Sequence, residues 1–142
     1  MSRRTPASGD PRAGLSSGCD VDEFLYRYRA DLASVHDGDT VTLDLDLGLR
    51  VRVRVTARLY GPDPDGRVGL DAPELNTPEG VAARDWLAAR LAGAELVART
   101  VADRTEKFGR WLVVLFARRA GSMWANVNAE LLAAGHAKAK TY

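Results

Sequence analysis

From Phe24 to Tyr60 apolar and charged side chains alternate almost without a break, in the strings FLYRYRADLASV, TVTLDLDLGL and RVRVRVTARLY. Alternation with period two puts one face of a strand in a core and the other in water, which a helix cannot satisfy. The stretch therefore predicts three consecutive half-buried strands. Gly38 sits in the first gap and Leu47-Gly48-Leu49 in the second, so tight turns join them into an antiparallel meander.

Beyond Tyr60 the chain changes character. Pro62, Asp63, Pro64, Asp65 and Gly66 read as a loop. Thr77 then caps a helix with Pro78 in its first turn, and Ala83, Leu87, Arg90 and Leu91 lie along one stripe before Gly93. AELVARTV and WLVVLFAR are two further strands around the polar connection DRTEKFGR, and NVNAELLAAG is a second short helix stopped by Gly135. Five strands with a helix after the third predict an α+β domain, mainly β: a five-stranded OB-like barrel with two flanking helices. The alternation suits a nearly closed sheet, which turns every second side chain inward.

The 142 residues, 46% of them hydrophobic, are enough for one domain with an ordinary core. Residues 1–20 hold almost no large apolar side chain and are expected to form a flexible tail, leaving 21–142 as the domain. Twenty Lys and Arg against nineteen Asp and Glu give a formal charge of +1, so any attraction to nucleic acid must come from local clustering. The single cysteine, Cys19, excludes an internal disulfide framework and a cysteine-based zinc cluster. No apolar run resembles a signal peptide or a membrane span, so the expectation is a cytoplasmic monomer without a membrane partner.

Three clusters put charge at loops and strand ends: Asp37 to Thr40, Asp71 to Glu74, and Asp103 to Arg110. Asp39 and Asp71 can bring two carboxylates to one hard cation, and an oxygen-only shell favours calcium or magnesium over zinc. Pro73 stiffens the turn that separates Asp71 from Glu74. His36 and His136 stand a hundred residues apart, neither has a neighbouring acid that makes a persuasive catalytic pair, and both read as ordinary surface or strand residues. Asp44 and Asp46 alternate with leucines and project from a solvent face. Trp86, Trp111 and Trp124 read as core or rim packing.

Asp37-Gly38-Asp39-Thr40, Leu70-Asp71-Ala72-Pro73-Glu74, Arg104-Thr105-Glu106-Lys107-Phe108-Gly109-Arg110, and Val127-Asn128 with Leu131, Gly135 and Ala137 stand in that order. In them the chain resembles the staphylococcal nuclease-like (thermonuclease) domain family, from about Tyr26 to the end. The resemblance implies a calcium-dependent nuclease acting on DNA, RNA or both and leaving 3′-phosphates. It implies calcium on Asp39, Asp71 and the Ala72 carbonyl, and Glu74 as the residue that activates water. Arg110 matches the second catalytic arginine, and Lys107 a residue that contacts a substrate phosphate. Tyr142 is the residue available to stack near the bound nucleotide. The alternative is a catalytically impaired OB-fold module that binds nucleic acid or protein.

The first catalytic arginine of the family stands five residues before the metal-binding aspartate. Here Arg67 stands four residues before Asp71, and Arg58 thirteen. A one-residue slip turns a strand side chain to the opposite face, which counts against Arg67. Excising PDPDGRVG or GPDPDGRV joins the flanks into RLYGLDAPE, with Gly61 and Gly69 where the backbone leaves and re-enters. The expectation is therefore a looped-out insertion, with Arg58 facing the carboxylates across it.

Overall fold

In the computed structural model, which describes residue 18 and residues 20–62, 68–105 and 108–141, the three alternating strings form β1 (Arg27–Asp37), β2 (Thr40–Asp46) and β3 (Arg52–Leu59). They pair as an antiparallel meander, with Leu32 opposite Leu43 and Leu43 opposite Val55, so that like faces meet. Irregularities between Leu32 and Ser34 and between Val35 and Asp37 mark bulges in β1, and bulges bend a strand. The bent strand also pairs through Arg27–Ala30 with β5 (Glu95–Thr105). β5 pairs antiparallel with β6 (Trp111–Arg118), and β6 lies parallel to β3, with Leu59 opposite Val113. That last pairing closes a five-stranded OB-like barrel.

The core is the inward set the alternation marks: Val41, Leu43, Ala57, Leu59, Val113 and Leu115 have no exposed surface. Helix α1 (Pro78–Leu91) covers it with Ala83, Leu87 and Leu91, and helix α2 (Val127–Ala133) with Val127 and Leu131. Thr77 caps α1 by accepting from the Gly80 N–H at 3.0 Å. Arg90, on the flank of the stripe, is only half-buried and pairs with Glu130 of α2 at 2.7 Å. On the outer face of the meander Asp44 accepts two bonds from Arg54, at 2.8 and 3.0 Å, and Arg54 holds its carboxyl below the usual range.

The structure corrects the alternation in three places. Val21–Phe24 is a 3₁₀ turn capped by the Asp20 carboxylate, and Tyr26 has φ 63°, so the first strand starts at Arg27 rather than Phe24. The cap offers the backbone a local partner that outcompetes sheet pairing. At the second turn the positive φ extends from Gly48 through Leu49 to Arg50, which delays β3 to Arg52. Three short strands also lie outside the barrel set. They are β4 (Val68–Asp71), β7 (Ala125–Asn126) and β8 (Lys138–Thr141), with β4 and β8 forming a separate antiparallel pair that sets Asp71 opposite Lys138.

Asn128 is fully buried and ties the expected insertion to the barrel. Its side-chain oxygen accepts from the Leu115 N–H at 3.1 Å, and its amide donates to the Gly61 carbonyl at 2.8 Å and the Val113 carbonyl at 3.1 Å. Asn126 donates to the Pro62 carbonyl at 2.7 Å. Asn128→Leu keeps the branching but is bulkier, and it strands the Leu115 N–H and the Gly61 carbonyl, whereas the Val113 carbonyl still accepts from the Tyr60 N–H. With about 1–3 kcal/mol for each buried group left unpaired, the expected loss is roughly 3 kcal/mol. Urea unfolding checks this: the midpoint should fall at an unchanged slope.

Candidate active site

The turn between β1 and β2 carries the first cluster. Asp39 is buried, and its backbone is held from both sides: its N–H donates to the Asp37 carboxylate at 3.0 Å and its carbonyl accepts from the Leu59 N–H at 2.7 Å. Its carboxylate accepts from the Thr40 hydroxyl at 3.0 Å and the Ala72 N–H at 3.1 Å. Asp39 therefore binds its own turn to the segment after β4.

Arg58 lies opposite Thr40 in the β2–β3 ladder, and its guanidinium spans both clusters. One nitrogen is 3.4 Å from Asp39, while the other is 3.4 Å from Asp71 and donates to the Leu70 carbonyl at 3.0 Å. Arg58 thus meets Asp71, thirteen residues on; of the expected loop, residues 63–67 lie outside the described residues, and Val68 and Gly69 belong to strand β4 instead. Gly61 and Gly69 are both buried at the ends of the insertion. Arg110, just before β6, donates to the Thr40 hydroxyl at 3.1 Å, and its guanidinium lies 5.4 Å from the Phe108 ring centre. Thr40 therefore links the Arg110 side to the Asp39 side, accepting from one and donating to the other.

Beside Arg110 opens a cleft of about 660 Å³, lined by His36, Thr40, Thr42, Thr56 and Phe108. Asp71 is half-exposed and also lines a smaller cavity of about 230 Å³ with Ala72, Pro73 and His136. Glu74 is exposed, and its carbonyl accepts from the Thr77 N–H at 3.1 Å and the Thr77 hydroxyl at 2.7 Å. Lys107, Tyr142, Arg67 and Cys19, with most of the expected tail, lie outside the described residues.

Burial, then the hydrogen bond and charge of Asp37, push the Asp39 carboxyl above its usual range, against the opposing pull of the Ala72 N–H and Arg58. The folded state therefore binds this proton more tightly than the unfolded chain does. Asp39 contributes most at low pH, and that contribution is lost as pH rises from the unfolded pKa through the folded one. Asp39→Asn in chelator should accordingly melt at or above the wild-type temperature beyond that window, and lose the advantage below it. Thermal melts across the acid range read this directly.

An ionised carboxylate held in a buried position gains from a cation close by, and the oxygen donors of Asp39 and Asp71 suit a hard one. Both carboxylates are oxygen donors of the kind a hard cation takes, and in this structure the Arg58 guanidinium lies 3.4 Å from each. Among the described residues, no group of three or more His, Cys, Asp or Glu side chains is gathered for a metal.

Two glycines let these pieces touch. A Cβ on Gly38 would lie 2.8 Å from the Ala83 Cβ and 2.9 Å from the Ala72 Cβ, and one on Gly80 would overlap the Glu74 carbonyl group. Gly80 and Thr77 do not stand out as site residues in the sequence. The one available signal is a glycine inside the first turn of a helix, where propensity argues against it. Compared with known proteins, the chain matches no family model and no curated protein.

Proposed function

We propose that the chain is a calcium-dependent nuclease that hydrolyses phosphodiester bonds of DNA, RNA or both. The observation that carries this reading is the Arg58 guanidinium, which reaches Asp39 and Asp71 together across the insertion. It supports one site built from segments far apart in sequence, with Arg110 joined to it through Thr40. Asp39, Asp71 and the Ala72 carbonyl are the proposed calcium ligands. Bound there, calcium supplies positive charge beside the phosphate and orients water.

Glu74 takes a proton from the attacking water as its oxygen bonds to phosphorus. Arg58 and Arg110 donate to the non-bridging oxygens as their charge grows; guanidinium groups remain ionised and offer paired donors. The bond from phosphorus to the 5′ oxygen breaks, that oxygen takes a proton from solvent water, and Glu74 gives its proton back to solvent. The products are a 3′-phosphate and a 5′-hydroxyl. The cleft lined by Thr42, Thr56 and Phe108 beside Arg110 offers hydroxyls and a ring to the adjoining nucleotide. Lys107 and Tyr142 are the further proposed substrate contacts.

One observation favours the second reading, an impaired OB-fold binding module: Arg58 also donates to the Leu70 carbonyl, which ties one of its nitrogens to the chain itself. Single-stranded DNA and RNA incubated with the protein in calcium, and separately in chelator, distinguish the two. Cleavage in calcium alone, with 3′-phosphate ends, supports the nuclease. Binding without cleavage in both media supports the module. Among the described residues no helix is long and apolar enough to cross a membrane.

A further inference from the structure

A second groove, of about 520 Å³, opens where β1, β5, β6 and β7 lie side by side. It begins at Arg27, whereas the Asp37–Thr40 turn lies at the other end of the eleven-residue β1. Val97 and Phe116 face each other in the β5–β6 register, and Arg29 opposes Val97 from β1, so three neighbouring strands build one outward row. Tyr28 and Trp124 complete the lining.

The chemistry of this row is aromatic and cationic together. The Arg27 guanidinium lies 5.8 Å from the Phe116 ring centre, and that of Arg118 lies 4.5 Å from the Trp124 ring centre. Trp124 is 37% exposed although it is a large apolar side chain. Glu95 is the acid set among these arginines, bound by Arg118 at 3.1 Å and by Arg29 at 3.5 Å. Arg27, Arg29 and Arg118 thus outnumber it, a local clustering that the nearly neutral chain lacks as a whole.

We infer that this groove binds single-stranded nucleic acid, stacking an unpaired base on Trp124 and Phe116 while Arg27 and Arg29 take the flanking phosphates. Flat rings accept the face of any base, and guanidinium groups supply the phosphate attraction that an apolar peptide would not need. Base pairing hides the faces of a duplex, so the groove prefers single strands. The surface stands apart from the catalytic proposal, because its residues contact neither carboxylate cluster.

The test is fluorescence anisotropy of a labelled oligothymidylate in chelator, so that binding is read without cleavage. Trp124→Ala is expected to weaken binding roughly tenfold or more, as loss of one stacking platform does. Trp124→Phe should retain most of the affinity while abolishing the tryptophan quenching that the oligonucleotide causes. Arg27→Ala with Arg29→Ala should reduce the salt slope by about 0.7 for each phosphate left without its arginine, and Glu95→Gln should tighten binding. The proposal is overturned if wild type does not bind at low salt, or if affinity is indifferent to Trp124→Ala and falls only with Arg110→Ala. Failure of calcium-dependent cleavage would leave these results untouched and would count against the nuclease reading alone.

Discussion

Arg58→Ala is expected to lower the rate of phosphodiester hydrolysis by about 10²–10³-fold, the loss typical of removing one preorganised donor to developing charge. Arg58 is almost enclosed, with 13% of its side chain exposed, between the buried Asp39 and the half-exposed Asp71. Truncation removes a donor and also leaves Asp39 without the cation that draws its carboxyl down, so the proton is held more tightly still. Arg58→Lys restores charge but not the two-pronged reach to Asp39 and Asp71, and should recover only a small part of the rate. Arg67→Ala in the insertion serves as the control and should leave the rate close to wild type. Single-turnover kinetics at saturating calcium check all three. The reverse pattern, with Arg67→Ala dead and Arg58→Ala active, would overturn the assignment of Arg58.

Gly80→Ala should damage activity and stability together. The added Cβ would overlap the carbonyl group of Glu74 and lie 2.9 Å from that of Pro73, and these are backbone atoms that cannot swing aside. Either α1 or the segment carrying Glu74 must move. Overpacking of this kind costs about 1–3 kcal/mol. A displacement of about 1 Å at a catalytic group can cost about a hundredfold in rate. The Thr77 hydroxyl, which both caps α1 and donates to the Glu74 carbonyl, would be pulled out of one of its two bonds. A thermal melt and a rate measured well below the melting temperature separate the two effects. A variant that loses stability but keeps its full rate would show that Glu74 does not depend on this contact.

Much of the barrel was legible because its information is local. Alternation from Phe24 to Tyr60 records which face of each strand is inward, and Leu32, Leu43 and Val55 meet across two ladders as that pattern requires. The Thr77 cap with Pro78 and the glycines at 93 and 135, whose φ values are 71° and 78°, likewise mark where helices start and stop. Short strands escaped for the opposite reason. Val68–Asp71 is too brief to show a period, and its partner, Lys138–Thr141, lies about seventy residues away. Neither segment carries a signal until the other is beside it.

By itself the sequence determined the strand meander, both helices and the set of charged clusters, since each depends on side-chain periodicity or capping within a few residues. Only the tertiary structure decided that Arg58 meets Asp39 and Asp71, that Asn128 pins the insertion at Gly61, and that Arg27, Phe116 and Trp124 share one groove. The physical reason is barrel closure. The parallel pairing of β3 with β6, with Ala57 opposite Trp111, draws residues over fifty positions apart into register, and the antiparallel β1–β5–β6 pairing does the same for the groove, so these sites depend on contacts that no local pattern records.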